Sequence, residues 1–203
     1  QKKVPAAPDQ KYSPTLPEDF KYSGSLMIPK PKPNFIESPY QFWGSPDDPV
    51  NSTLQVANSE TGIIQEIPQG IYFTDAVQAF GKTFIDFSGF DFEFAAISSH
   101  KISGPKGIGA IIVKDMNILS SFIKGGGQEF GKRSGTENLM NIEGFVASVE
   151  DKLLEINYGK WEEIKSNRDY LEEMILNKSQ NTKVVGKSTE RLPNTSFFIT
   201  PGW

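Results

Sequence analysis

The sequence predicts an α/β fold, and three features of its order carry that prediction. Short apolar, partly β-branched runs recur between Leu54 and Val113. Polar residues gather at the C-terminal ends of those runs. Two later segments then repeat apolar residues at helical spacing. In an open α/β sheet, ligands bind in the crevice outside the carboxyl ends of the strands, so those polar ends are where function is sought.

Residues 1–50 hold ten of the fourteen prolines, in runs such as IPKPKPNFIESPY. Proline removes a backbone donor and biases the preceding residue away from helix, which predicts an extended arm. Its aromatics Phe35, Tyr40, Phe42 and Trp43 are expected to pack on something. From there STLQVANSETG, GIYFTDAVQAFGK and FEFAAISS each begin as a short strand and end in small or polar residues, and GIGAIIVKD is a further strand. NIEGFVASVEDKLLEI places Ile142, Phe145, Val149, Leu153 and Ile156 on one helical face. WEEIKSNRDYLEEMIL does the same with Trp161, Ile164, Leu171 and Ile175, which assigns the pairs Glu162/Glu163 and Glu172/Glu173 to a solvated face. TKVVGK and LPNTSFFIT are expected to be two closing strands.

One connection is anomalous. Between the strand before ETGIIQEI and the strand IYFTDA there is little room for a crossover helix, and parallel neighbours need a connection of about a dozen residues or more. Either the two strands are not parallel neighbours, or a segment has been lost.

Composition narrows the function classes. A chain of 203 residues with a net charge of −4 is long enough for a real core, and its basic residues are scattered, so no nucleic-acid partner is expected. No apolar run approaches a membrane span and QKKVPAAPDQ lacks a signal-peptide core, so a cytoplasmic protein without a membrane partner is expected. The absence of cysteine excludes disulfides, thiolate metal sites and a thiol nucleophile within this chain, and a single histidine excludes a multi-histidine zinc site. No metal ligand set is expected.

That histidine, His100, stands beside Lys101 in AAISSHKISGPKGIG, between an apolar run and a loop punctuated by glycine and proline. A lysine becomes a nucleophile when desolvation or a neighbouring charge disfavours its ammonium form, and it then forms a Schiff base with a carbonyl cofactor. Asp75 ends another strand, with Gln78 three residues on. A buried carboxylate is what a pyridinium nitrogen needs if pyridoxal phosphate is to act as an electron sink, and Asp75 is expected to supply it. Gln78 is placed to donate to the ring's phenolic oxygen, and Ser98 and His100 to hold a phosphate. The competing reading is a surface lysine with a structural histidine and solvated strand ends. GGQEFGKR comes close to a P-loop, but Arg133 follows Lys132 where a magnesium-binding hydroxyl is required.

Three motifs in order, TDAVQAFGKTFID, SSHKISGPKGIGAIIV and GGGQEFGKRSGTEN, resemble the cysteine desulfurases of the class V aminotransferase family. The resemblance is close from about Leu54 to Glu150 and looser through LPNTSFF. It implies a fold-type I, pyridoxal 5'-phosphate-dependent transferase-like fold. Residues 51–158 would be a cofactor-binding portion of the large domain and 159–203 the start of the small domain, behind the proline-rich arm 1–50. Lys101 would form the internal aldimine, Asp75 would pair with the pyridine nitrogen, and Gln78 with the phenolic oxygen. Ser98 and His100 would bind phosphate, and Thr136 of RSGT would reach the phosphate of the partner subunit in a homodimer. ANSETG resembles the family's ANNETG with Ser59 in place of an asparagine, a shorter group for the same cofactor contact. The family's crossover helix after ETGIIQEI is missing. Residues 1–50 lack its phosphate loop and ring-stacking histidine, and its persulfide-forming cysteine and substrate-carboxylate arginine would lie beyond Trp203.

The expected reaction is removal of sulfur from L-cysteine or a related amino acid, leaving alanine, with a sulfur-acceptor protein as partner and iron–sulfur cluster assembly as setting. The alternatives are a non-catalytic scaffold or dimerisation protein that keeps the fold, or another class V enzyme such as a selenocysteine lyase.

Overall fold

The computed structural model describes residues 48–89 and 91–202 in full, together with the backbone of Tyr22–Ser23 (β1) and Leu26–Met27 (β2), which pair antiparallel. The rest of the expected arm, including Phe35, Tyr40, Phe42 and Trp43, lies outside the described residues. Four strands, Thr53–Gln55 (β3), Ile71–Asp75 (β4), Phe92–Ser98 (β5) and Gly109–Val113 (β6), form one sheet in the order β3-β4-β5-β6. The first three are parallel and β6 closes the edge antiparallel. Helices α1 (Leu139–Asn157) and α2 (Lys160–Lys178) follow, then the short antiparallel pair Lys183–Val184 (β7) and Phe198–Ile199 (β8).

The anomalous connection resolves in favour of parallel neighbours. β3 and β4 pair in parallel register, Gln55 opposite Asp75, and residues 56–70 join them without a helix. The connection supplies its own order. Asn58 Oδ1 accepts from the N–H groups of Glu60 (3.0 Å) and Thr61 (2.9 Å), closing a side-chain-capped turn. Ala57 then bridges Ile64, and Ile63 bridges Arg191 from the far end of the chain. Ile67 thereby enters the same core as Val56, Ile71, Ala76, Ala79, Phe92, Ala95 and Leu192, so apolar loop residues bury surface that a helix would otherwise cover.

Both helices form where their periodicity places them, but their buried stripes are rotated from the expected ones. In α1, Phe145 is buried while Leu153 is exposed and Lys152 takes the buried position. At about 100° per residue, Lys152 lies about 20° from the direction of Phe145 and Leu153 about 80° away. Lys152 satisfies its charge by donating to Glu155 Oε2 at 2.7 Å, while its stem packs inward. In α2 the stripe runs Trp161, Ile164, Arg168, Glu172, Ile175, and Leu171 is exposed. Glu172 is therefore not on a solvated face. It is buried and held by Arg191, with Nη1–Oε1 at 2.7 Å and Nη2–Oε2 at 3.0 Å, whereas Glu162, Glu163 and Glu173 are exposed. A carboxylate survives burial only when paired in this way.

Candidate active site

Parallel strands bring their C-terminal ends to one edge. Asp75 is the last residue of β4 and pairs with Ala96, two residues before the end of β5 at Ser98. The short turn Ser99–Ile102 follows at once and carries His100 and Lys101. Asp75, Ser98, His100 and Lys101 thus gather at the carboxyl edge of two adjacent strands, and Ser59 follows β3 at the same edge. Asp75 is exposed rather than buried as expected, because it ends β4 at the open strand edge, and its Oδ1 accepts from the Val77 N–H at 2.8 Å. Ser98 Oγ and His100 Nδ1 are hydrogen-bonded at 2.8 Å, so hydroxyl and imidazole act as one polar unit. Lys101 is half-buried. Ser59 is exposed and its hydroxyl contacts Glu60 Oε1 at 3.4 Å.

The local fold explains why Lys101 is held there. Ile102 is almost fully buried, which anchors the turn one residue past the lysine. Ser103 then caps the turn in the left-handed region (φ 69°), and Gly104 N–H donates to Ser99 O at 3.0 Å. Helix α1 lies against this loop, with Asn141 Nδ2 donating to Lys106 O at 3.3 Å. The fit is close at Gly104, where a Cβ would stand 2.2 Å from Ser99 Oγ, 2.7 Å from Ser148 Oγ and 3.1 Å from Ser99 O. Two of those neighbours belong to the Lys101 turn and one to α1, so no single rotamer change relieves the clash. Gly104→Ala is expected to destabilise the protein by about 1–3 kcal/mol through overpacking. An unchanged urea midpoint would show that the loop is not wedged there.

Gln78 lies on the turn after Asp75, half-buried, and its Oε1 accepts from Lys82 Nζ at 3.3 Å. Sequence reading did not single out Lys82. Burial, and after it the charge of Lys101, push the Lys82 amine below its ordinary range. The available signal was its spacing of four residues from Gln78.

Thr136 stands apart from this cluster, exposed on the loop before α1 and after Gly135 (φ 104°). Arg133 Nη1 organises that loop by donating to Gly135 O at 2.8 Å. Lys132 Nζ donates to Leu119 O at 2.9 Å, so the lysine of the near P-loop pattern anchors a backbone carbonyl. The segment also lacks the strand–loop–helix context of a phosphate loop, since α1 begins only at Leu139.

Residues 48–202 match the aminotransferase class-V family. The chain belongs to that family. It is 37% identical over 153 residues to a cysteine desulfurase of Nostoc sp., a match covering 71% of this chain and 38% of that protein. A cysteine desulfurase of Sinorhizobium fredii is 38% identical over 165 residues, covering 74% of this chain and 41% of that one. Among solved structures, a NifS-like protein from Rickettsia africae superposes with a TM-score of 0.67 at 33% identity, over 74% of this chain and 44% of that chain. The fold is thus a portion of the fold-type I architecture, and the chain is a cysteine desulfurase-like class V member. It spans about two-fifths of the length of the curated relatives it matches. The family implies pyridoxal 5'-phosphate as cofactor.

Proposed function

We propose that this chain is the central portion of a pyridoxal phosphate-dependent enzyme that removes sulfur from L-cysteine. The observation that carries this reading is the parallel register of β4 and β5, which sets Asp75 beside the Ser98–Lys101 segment at one strand edge. The donor set there fits the cofactor: a carboxylate, a carboxamide, a hydroxyl–imidazole pair and a primary amine, one for each functional group of the ring. Asp75 would hold the ring nitrogen, Gln78 the phenolic oxygen, Ser98 and His100 the phosphate, and Lys101 the aldehyde carbon. Ser59 is a further contact at the same edge. When bound, the cofactor supplies an electron sink for the pair released at an amino-acid Cα. Asp75 keeps the ring nitrogen protonated by offering a fixed negative charge. Lys101 Nζ takes the proton from the substrate Cα and returns it, a task suited to an amine anchored by a buried neighbour.

The proposed partners are a second copy of this chain and a sulfur-acceptor protein. A homodimer is supported by exposed apolar side chains around the loop that presents Thr136, notably Phe130, Leu139 and Met140. In that assembly Thr136 would serve the partner's phosphate. Residues 51–158 and 159–203 are proposed as portions of the large and small domains. A cytoplasmic location is proposed with this reading; among the described residues no helix is long and apolar enough to cross a membrane.

The test is covalent capture. The protein mixed with pyridoxal phosphate is expected to show a visible absorption band, and borohydride reduction to fix the label on Lys101 Nζ. Lys101→Ala is expected to lose the band entirely. A label mapped to another lysine, or a band that survives Lys101→Ala, overturns the assignment.

A further inference from the structure

The turn after Asp75 holds a cation that none of the roles above uses. Ala76 and Ala79 are fully buried, the N–H groups of Ala79 and Phe80 both donate to Ala76 O, and those of Lys82 and Thr83 to Ala79 O. Gly81 reverses the chain at φ 73°, and a Cβ there would lie 2.7 Å from Ile102 Cγ2 and 3.1 Å from Lys152 Cγ. The turn is therefore wedged between the end of the Lys101 segment and α1. From that fixed position Lys82 reaches back to Gln78 Oε1. Among the described residues, no carboxylate lies within ion-pair distance of Lys82. The cavity wall it shares, about 550 Å³ in volume, carries four other cations and four carboxylates, with Glu172 and Asp169 already held by arginines. Gln78 is thus its hydrogen-bond acceptor.

A carboxamide is ambiguous by shape, since its oxygen accepts and its nitrogen donates from nearly the same envelope. A lysine ammonium is a donor only. Beside Lys82, the Gln78 amide has its oxygen turned to the cation, which directs the NH2 group the other way. We propose that Lys82 is a positioning residue that locks the Gln78 carboxamide so that its N–H donates to the phenolic oxygen of the cofactor. The proposal rests on the cofactor reading above and adds to it what fixes the sense of that hydrogen bond. A flipped amide would present its oxygen to an anionic oxygen, which is repulsive.

Two measurements test it. The first needs no cofactor. In the protein without pyridoxal phosphate, the side-chain NH2 resonances of Gln78 are expected to shift and broaden in Lys82→Met, because the amide is freed to flip. The second uses the native full-length protein with pyridoxal phosphate, reading the pH midpoint of the visible absorption band. A donor to the phenolic oxygen favours its ionised form, so losing that donor moves the midpoint up. Lys82→Met and Gln78→Ala are each expected to raise it by about one pH unit. The double variant should rise no further than Gln78→Ala alone, since both act through one group. Unchanged Gln78 resonances or an unchanged midpoint in Lys82→Met overturns the proposal while leaving the cofactor reading intact. Additive shifts overturn it too, because they show the lysine acting by charge alone. A wild-type protein with no titrating band defeats the cofactor reading and this proposal with it. If Lys82→Met fails to fold, Lys82→Ala, which also removes the donor to Gln78 Oε1, is read by the same criteria.

Discussion

Arg191→Ala is expected to destabilise the protein by about 3–5 kcal/mol, a large share of the stability of a chain this size. The guanidinium meets Glu172 through two hydrogen bonds, and both side chains are almost fully shielded from water. Ser196 Oγ donates to the same carboxylate at 2.6 Å, and Arg168 Nη1 donates to Leu192 O at 2.8 Å, so the pair sits in a polar knot beside the core. Truncating Arg191 leaves a buried carboxylate with one hydroxyl and a guanidinium at 3.9 Å. Replacing both partners, as in Glu172→Leu with Arg191→Met, should be much milder, because no uncompensated charge remains. The pH dependence has a definite sign. Burial by itself raises the Glu172 carboxyl, but the Arg191 and Ser196 hydrogen bonds and the Arg191 and Arg168 charges together hold it below the usual glutamate range. A depressed folded value means the stabilisation is present above the ordinary carboxyl range and is lost as pH falls through the folded value. Urea unfolding between neutral and acid pH is expected to show this loss in the wild type and a flatter profile in Arg191→Ala. Equal midpoints for the two proteins at neutral pH would show that the knot contributes nothing.

The same knot marks what the sequence conceals. β4 and β5 were legible because Ile71–Asp75 and Phe92–Ser98 are short β-branched or aromatic runs with abrupt polar ends. Asp75 and Lys101 were joined as one candidate site by the resemblance of TDAVQAFGKTFID and SSHKISGPKGIGAIIV to the cysteine desulfurases. The parallel pairing of β4 and β5, which the sequence did not specify, sets both at one strand edge. Glu172 was not legible as a buried group. Its partner comes from a segment nineteen residues later, and a carboxylate on a helix is ordinarily solvated. The order of the 56–70 connection was hidden for a related reason: it depends on a side-chain-capped turn at Asn58 and on a bridge from Ile63 to Arg191. Lys82 escaped notice because its reach to Gln78 requires the left-handed reversal at Gly81.

Purified as it stands and supplied with pyridoxal phosphate, the 203-residue chain is expected to release sulfide from L-cysteine no faster than a protein-free blank. Under the proposed reading Lys101 handles the proton at the substrate Cα, but sulfur leaves only when a thiolate attacks the substrate Sγ. That attack forms an S–S bond as the C–S bond breaks. The sequence contains no cysteine, and none of its other side chains is a comparable nucleophile toward sulfur. An added reductant should not restore turnover, because no protein persulfide forms for it to reduce. Cofactor capture on Lys101 is expected to persist, which separates loss of the sulfur step from loss of the site. Sulfide and alanine are measured together over many equivalents of substrate. Sustained, equimolar production of both that disappears in Lys101→Ala would overturn the expectation, and would mean that free substrate thiol takes the place of a protein thiolate at this strand edge.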